Sequence, residues 1–401
     1  MHKRRRLVLC GMLLLFLTAG CWDRIDIEER GFVLGTAIDL SKNEEEEENI
    51  EAESPGKPKG KTRFILTNQM VIPGTIVEDN SGETYNVSAS GDTLFECVRE
   101  MAARTSQSPF YEHNKILILS EDVAKRGHIP SLLDVFLRDK EMKRSIQVLI
   151  AVGEARKALE VKPQNKEMPA MYINSVVNNA YKNLGMHPEV LVGDIHEYLL
   201  LDESFTLPRI MSDGDEIKMT GSAVFQGDAK RMIGFLSSEE TEGLNIIKNQ
   251  VEGGLFQVEI EGDLIVYEIK KLKTRISADV ADPLRPKFHV TVLAQGNLGE
   301  KYAMIDPFDA DVITNIEHKL EHEIERIVNS TTEKLQKDFE TDAMGLGTLL
   351  KRNHYKVWKR LEGDWDRGEK YFTRCEIEVT ARVQIERRGT IIKSHGALGD
   401  M

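Results

Sequence analysis

The sequence lacks the short motifs that most often carry enzyme chemistry. Its 401 residues contain no C-x-x-C pair, phosphate-binding loop, dinucleotide-binding fingerprint or G-x-S-x-G nucleophile turn. One spacing resembles a catalytic motif, because His318, Glu321 and His322 follow the H-x-x-E-H order of inverted zinc peptidases. At about 100° per residue, both histidines fall opposite the apolar stripe of the predicted helix, so we interpret them as solvent-exposed. These absences favour a protein that is not an enzyme and uses no cofactor, and they leave a surface zinc hydrolase as a minor alternative.

Cysteine is scarce, which argues against a fold built on disulfide bonds. Only four cysteines occur, and two of them, Cys10 and Cys21, belong to the N-terminal segment described below. Cys97 shares a predicted helical face with apolar neighbours, and Cys375 shares a predicted strand face with apolar neighbours. We therefore expect both side chains to be buried as small hydrophobic groups, without a bond between them.

Basic residues are fewer than acidic ones, and no apolar run is long enough to cross a membrane. The chain has 53 Lys and Arg against 66 Asp and Glu, a formal net charge of −13. Such an acidic chain argues against nucleic-acid binding and against a polybasic attachment to anionic lipid. The apolar run Leu7–Leu17 is about a dozen residues long, whereas a membrane-spanning helix needs roughly twenty. Membrane attachment must therefore come from a lipid or from a partner.

The first 21 residues have the composition of a lipoprotein signal. Residues 3–6 are basic, an apolar run follows, and Thr18, Ala19 and Gly20 precede Cys21. Small residues admit a signal peptidase, and the sulfur of Cys21 can accept a diacylglyceryl group, with or without N-acylation such as palmitate. We therefore predict a signal peptide at 1–20 and a mature chain of charge about −17, anchored by Cys21 on the outer face of a membrane. The alternative is an ordinary signal cut near Ala19, with an incidental cysteine.

The rest of the chain exceeds what one hydrophobic core usually fills, so more than one domain is expected. Strands alternate with helices over 21–211, which predicts an α/β region of one or two subdomains with a disordered acidic loop at 41–61. The polar, turn-rich stretch 211–217 marks a boundary. Residues 218–389 predict an antiparallel sheet packed by one long helix, Asp309–Glu340. The fold class is therefore α+β or mixed α/β, with several sheet-containing domains.

Hydrophobic spacing predicts individual elements within the first region. Residues 32–40 and 62–71 are expected to pair as strands across the acidic loop, and the strongly apolar Ser145–Val152 to be a central strand. The charged cluster Arg138–Arg144 is interpreted as ion pairs that close a helix end, with a functional switch as the alternative. His113, just before another apolar strand, is interpreted as a turn histidine rather than a ligand.

Several short segments are weak alone but specific in their combined order and spacing. They are Gly20–Asp23, Gly31–Gly35, His113–Ile116, Ala124–Gly127, Phe136–Glu141, Gly221–Phe225, Met232–Leu236, Glu239–Glu240, Asp342–Gly347, Trp358, Trp365 and Arg387–Gly389. In these segments the chain resembles the Ger(x)C family, the lipoprotein C subunits of bacterial spore germinant receptors. The resemblance covers nearly the whole mature chain, and the acidic run 44–48 and Thr18 depart from the family's pattern.

The resemblance implies a location, partners and a role. Members of the family are tethered by diacylglycerol to the outer face of the spore's inner membrane. They work with a partly membrane-embedded A subunit and with a B subunit that resembles an amino-acid permease, and the complex responds to small nutrients. The family's fold is mixed α/β with three sheet-containing domains, and the resemblance brings no catalytic, cofactor-binding or metal-binding residues. A different class of function, an extracytoplasmic solute-binding lipoprotein, stays open as the main alternative.

Overall fold

A computed structural model describes residues 30–41, 63–72, 82–260, 262–301 and 309–387. In this part of the chain the strands form two sheets, on which nine α-helices pack. The strands are β1 (Arg30–Leu40), β2 (Phe64–Val71), β3 (Thr84–Gly91), β4 (Ser108–Phe110), β5 (Ile116–Ser120), β6 (Gln147–Ala151), β7 (Phe205–Asp213), β8 (Glu216–Gln226), β9 (Arg231–Leu236), β10 (Gly254–Ile260), β11 (Asp263–Asp279), β12 (Lys287–Lys301) and β13 (Glu376–Arg387). The helices are α1 (Leu94–Ala102), α2 (Glu121–Lys125), α3 (Ile129–Arg138), α4 (Pro169–Val177), α5 (Val192–Leu201), α6 (Ser238–Ile247), α7 (Ala310–Glu333), α8 (Leu346–Asn353) and α9 (Tyr355–Leu361).

The first sheet has nine strands and a parallel centre. Its order is β3-β2-β1-β5-β6-β7-β8-β9, and the short β4 pairs with the start of β1. Strands β1, β5, β6 and β7 run parallel, and all five residues of both β5 and β6 are buried. Strands buried on both faces are apolar throughout, and this confirms the predicted central strand at 145–152.

The predicted pairing across the acidic loop is confirmed. Strand β1 is antiparallel to β2, from Val33 opposite Met70 to Leu40 opposite Phe64. The acidic loop at 41–61 lies outside the described residues except for Ser41. Cys97 on α1 and Cys375 before β13 are both buried free thiols, as expected from their apolar neighbours. Burial raises the pKa of each thiol to about 12, so both stay protonated and unreactive at neutral pH.

Strands β8 and β9 extend the first sheet, although the sequence analysis placed them with the second half. Gly214 and Asp215 form a tight turn between β7 and β8, and β9 then pairs with β8. The reason is that a hairpin turn returns the chain onto the free edge of the strand it has just left. The pairing of β8 and β9 with the first sheet does not test the predicted domain bounds 21–211 and 218–389, so these bounds stay a prediction.

The second sheet has the order β10-β11-β12-β13 and is packed by α7, which confirms the predicted long helix on a sheet. The apolar stripe Ile313, Ile316, Leu320, Ile324 and Ile327 of α7 is buried against it. The first three strands are antiparallel, as predicted, but β13 lies parallel to β12. The parallel pairing arises because α7, α8 and α9 form a crossover between β12 and β13, and a crossover returns the chain in its original direction.

One hydrophobic core joins the two sheets. Val224 and Leu236 of the first sheet belong to the same buried cluster as the apolar faces of α6, α7 and the second sheet. Helix α6 approaches α7 closely at Gly243, where a Cβ atom would lie 2.1 Å from Thr331 Oγ1 and 2.8 Å from the Ile327 carbonyl oxygen. This contact needs a glycine, and it ties α6, which follows β9 directly, to the C-terminal part of the fold.

Candidate functional site

The predicted lipidation site, Cys21, lies outside the described residues, so lipidation stays a prediction. The described chain begins at Arg30, the first residue of β1. Within the described ranges, every helix is too short or too polar to cross a bilayer.

The two histidines of the H-x-x-E-H spacing lie on the outer side of α7. His318 and His322 are exposed, with 65% and 80% of their side-chain surface accessible, as the helical spacing predicted. His318 Nδ1 is 3.1 Å from Glu321 Oε2, and His322 Nδ1 is 3.5 Å from Glu325 Oε2. Nowhere in the described residues do three or more His, Cys, Asp or Glu side chains converge as metal ligands would. His318 and His322 instead each face a glutamate of their own helix.

The glutamates on this side of α7 have a structural role that the sequence analysis did not predict. Their carboxylates accept hydrogen bonds from backbone N–H groups of the edge strand β13: Glu325 from Ala381 (2.9 Å), Glu321 from Val383 (3.2 Å) and Glu317 from Ile385 (2.9 Å). Four helical residues advance about 6.0 Å and two strand residues about 6.6 Å, so an antiparallel helix can match the strand at each step. We call these three residues the glutamate ladder; it closes the sheet edge that β13 would otherwise expose.

The two polar features of the first region also have local structural partners. Arg138 pairs with Asp134 one turn earlier on α3, at 2.7 Å, so one residue of the predicted cluster is ion-paired at this helix end. Arg144 approaches the Gly193 carbonyl oxygen at 3.5 Å. His113 ends a short 3-10 turn and its ring contacts Phe32, so the interpretation as a turn histidine is confirmed.

A cleft of about 1240 Å³ lies between the two halves of the fold. One wall comes from the end of α5 and the start of β7, and includes Leu201, Glu203 and Ser204. The opposite wall comes from the turn before α8, from α8 and α9, and from the loop carrying Trp365 and Asp366. The lining contains carboxylates, cations and aromatic rings but no His or Cys side chain. The cleft can therefore bind a polar ligand or hold two surfaces together.

Asp342 organises one wall of this cleft. Its carboxylate accepts four hydrogen bonds, from the backbone N–H groups of Gly345 (2.9 Å), Leu346 (3.1 Å) and Gly347 (2.6 Å) and from the indole N–H of Trp365 (2.8 Å). Three of these donors are the free N–H groups at the beginning of α8, where a negative charge is favoured. Asp342 therefore fixes the start of α8 and the position of Trp365 together.

Asp366 connects Asp342 to the first sheet through hydrogen bonds. Its Oδ1 accepts from the backbone N–H of Asp342 at 3.0 Å, and its Oδ2 lies 2.7 Å from the hydroxyl of Ser204, which precedes β7. The Ser204 hydroxyl oxygen in turn accepts from the backbone N–H of Gly227 at 3.0 Å. Burial, followed by the charge of Asp342, raises the pKa of Asp366 to about 7. Asp366 is thus a hydrogen-bonding link between the two halves whose charge changes near neutral pH.

We expect the stability of the fold to fall as the pH rises through 7 because of Asp366. The unfolded carboxyl has a pKa of 3.8 and the folded one about 7, so the folded chain binds more protons between these values. The stabilisation is complete below pH 3.8 and is lost as the folded group ionises. Urea unfolding at pH 6 and pH 8 should show the wild type losing about 1 kcal/mol more than Asp366→Asn.

The matched control for this measurement is Asp364→Asn, two residues away on the same loop. It should keep the wild-type loss between pH 6 and pH 8. Equal losses in the wild type and Asp366→Asn would show that Asp366 is already ionised in the folded chain.

Comparison with known proteins now decides the family. Residues 23–211 match the family described as "Spore germination protein N-terminal domain", and residues 220–389 match "Spore germination B3/ GerAC like, C-terminal". The chain belongs to the spore germination B3/GerAC-like family. The resemblance to Ger(x)C proteins read from the sequence is therefore confirmed.

Curated members of the GerAC-like family match along their whole length. The chain is 31% identical to "Spore germination protein YndF" of Bacillus subtilis (strain 168) over 391 residues, which is 94% of this chain and 95% of the relative. It is 26% identical to "Spore germination protein B3" of the same organism, with 95% of this chain and 97% of the relative covered. The "Crystal Structure of the GerBC protein" matches with a TM-score of 0.58 and 21% identity over 89% of this chain and 99% of that chain. At this identity, the solved structure supports the fold.

Three of the GerAC-like segments recognised in the sequence line the cleft, but the sequence analysis did not predict the residues that they contact there. Asp342–Gly347 forms the turn before α8, and Trp358 and Trp365 pack edge to face with ring centroids 5.7 Å apart. Gly347 lies under both rings, because a Cβ there would be 2.8 Å from each. Asp366 and Ser204 carried no sequence signal, since they are 162 residues apart. The glutamate ladder does have a sequence signal, which is the four-residue spacing of Glu317, Glu321 and Glu325.

Proposed function

We propose that this chain is the lipid-anchored, non-enzymatic C subunit of a spore germinant receptor. The observation that carries the proposal is that two spore germination domains follow each other in order over residues 23–389, directly after the lipoprotein signal. The protein would lie on the outer face of the spore's inner membrane and dock on the membrane A and B subunits. Its role in nutrient-triggered germination would be exerted by contact with these subunits.

The anchor is tested by Cys21→Ala in spores. Two acyl chains give stable attachment whereas none gives essentially no affinity for lipid, so most of the protein should move to the soluble fraction. Germination with the cognate nutrient should slow accordingly. The matched control is Cys10→Ala, because that cysteine leaves with the signal peptide and should change neither property. A Cys21→Ala protein that stays on membranes and supports normal germination would contradict the proposal.

Docking is tested by affinity purification of the tagged chain from detergent-solubilised spore membranes. The permease-like B subunit and the A subunit should be recovered with it. Recovery of the chain alone, from membranes shown by blotting to contain both subunits, would contradict docking.

A second candidate is an extracytoplasmic solute-binding lipoprotein, and the cleft favours it. Its volume of about 1240 Å³ is large enough for a small nutrient, and its lining mixes aromatic, cationic and acidic side chains. This candidate predicts saturable binding of a nutrient amino acid or sugar to the purified chain. Titration calorimetry that shows no heat of binding with these nutrients would dismiss it and leave the receptor-subunit proposal intact.

A further inference from the structure

Helices α8 and α9 form a basic surface on an acidic protein. Residues 343–361 contain five Lys and Arg and no Asp or Glu, in a chain whose formal net charge is −13. The five cations are Lys351, Arg352, Lys356, Lys359 and Arg360, and all of them are exposed. We call these residues, together with the exposed ring of Tyr355, the basic edge. This segment is therefore basic although the chain as a whole is acidic.

Most of the basic edge has no carboxylate partner in the described part of the chain. Lys359 pairs with Glu362 at 2.8 Å and lies over the ring of Tyr355. Among the described residues no ion pair is formed by Lys351, Arg352, Lys356 or Arg360. Exposed cations without an ion-pair partner attract an anionic surface.

Exposed apolar side chains occur on α9 and at the end of α5, which lines the same cleft. Leu200 and Leu201, at the end of α5, have 70% and 48% of their surface accessible, and Tyr355 has 56%. Leu201 lines the same cleft as Lys351 and Arg352. Leucine and tyrosine next to lysine and arginine are the composition of surfaces that bind at the membrane–water interface.

The sheet topology places the basic edge on the side of the fold where the chain enters. Parallel strands begin at the same edge of a sheet, and the register aligns Ile38 of β1 with Arg209 of β7 through β5 and β6. Counting back along both strands puts Glu203 level with Phe32, near the start of β1. Thr348 of α8 donates a hydrogen bond to Glu203 at 3.0 Å. Three strand spacings of about 4.8 Å then separate β7, with α8 attached, from β1.

The predicted anchor is close to this side in sequence as well. Cys21 precedes Arg30 by nine residues, and a chain of that length spans at most about 30 Å. The lipid therefore holds the entry side of the fold near the bilayer, and the basic edge belongs to that side. The acidic remainder of the protein would be repelled by an anionic bilayer, so charge favours the same orientation.

We infer that the basic edge docks on the anionic phospholipid headgroups of the membrane that carries the anchor. The inference rests on the proposed lipid anchor and adds an orientation to it. Each Lys or Arg near an anionic membrane surface favours the docked orientation about fivefold. Docking of this kind holds the mouth of the cleft and helices α8 and α9 at the headgroup level.

The test uses the full lipidated protein on vesicles of phosphatidylcholine alone and on vesicles with one third phosphatidylglycerol. Hydrogen exchange of the peptide 346–361 should be slower on the anionic vesicles, and added salt should remove the difference. The double variant Lys351→Glu with Lys356→Glu should shift the docking equilibrium by at least about 30-fold toward the undocked state. Both side chains are exposed, and near-ultraviolet circular dichroism should show an unchanged fold.

The matched control is Lys162→Glu with Lys218→Glu. Both lysines are exposed and lie at the opposite edge of the first sheet, where Gln164 donates to Glu216 at 3.4 Å. This variant makes the same change in net charge. It should keep the wild-type exchange on both kinds of vesicle.

Three outcomes separate the possibilities. Equal exchange of 346–361 on neutral and anionic vesicles would overturn the inference. Protection that requires the A and B subunits and ignores phosphatidylglycerol would assign the basic edge to an acidic protein partner, which also overturns it. Flotation distinguishes a failure of the proposed function: a protein without a lipid anchor fails to float with neutral vesicles, whereas an anchored protein that does not dock still floats.

Discussion

Asp342→Ala is expected to destabilise the C-terminal part of the fold by about 4 kcal/mol, because each hydrogen bond to a charged group contributes about 1.5–3 kcal/mol and partial solvation reduces the sum. Four donors lose their acceptor at once. The indole N–H of Trp365 becomes a buried donor without a partner, and the start of α8 loses its compensating charge. Urea unfolding followed by tryptophan fluorescence reports on this region, since Trp358 and Trp365 pack against the same turn.

The control for Asp342→Ala is Asp338→Ala, on the same segment of chain. Asp338 is exposed and pairs with Lys334 at 2.7 Å, and exposed ion pairs contribute at most about 1 kcal/mol. Its loss should shift the unfolding midpoint little. If both variants unfold at nearly the same urea concentration, the four hydrogen bonds of Asp342 do not hold the turn as described here.

The second large effect is expected from removing the glutamate ladder. Changing Glu317, Glu321 and Glu325 together to alanine should cost about 3 kcal/mol, roughly 1 kcal/mol for each half-exposed hydrogen bond to a charged group. The three backbone N–H groups of β13 then face an uncovered sheet edge. Hydrogen exchange of the peptide 376–387 should become faster in the triple variant, while exchange of the inner strands β11 and β12 changes less.

Two companion variants sharpen this test. Replacing the same residues by glutamine keeps an acceptor oxygen at each position and should restore most of the protection of β13. Replacing His318 and His322 by alanine changes exposed residues of the same helix and should leave exchange unchanged. If the alanine triple variant exchanges like the histidine variant, the ladder does not contribute to holding β13.

Local periodicity was sufficient to predict the elements that bury one face. The apolar stripe from Ile313 to Ile327 gave the long helix, and the alternation after Cys375 gave β13 with one buried and one wet face. The same reasoning placed His318 and His322 in solvent. These predictions succeeded because a residue's burial depends on the periodicity of its own element, which neighbouring residues already display.

Long-range pairing could not be predicted from the same patterns. Strand β8 shows the alternation of apolar and polar residues that any half-buried strand shows. This pattern does not indicate which sheet has a free edge for it. The parallel pairing of β13 depends on the crossover through α7, and the Asp366–Ser204 link depends on two loops that meet only in the folded chain. Alternation specifies a face, but the choice of partner depends on which distant edges remain unpaired.

The sequence by itself determined the family and the acid-free run 343–361, and it predicts the signal with Cys21. Each of those features depends only on residues that are close in sequence, so it can be identified without the fold. Only the tertiary structure decided that this run lies beside the exposed leucines of α5, at the sheet edge where the chain enters from the predicted anchor. The reason is that strand register and hydrogen bonds such as Thr348 to Glu203 join residues far apart in sequence. A chain that is acidic on average can thereby present one basic side.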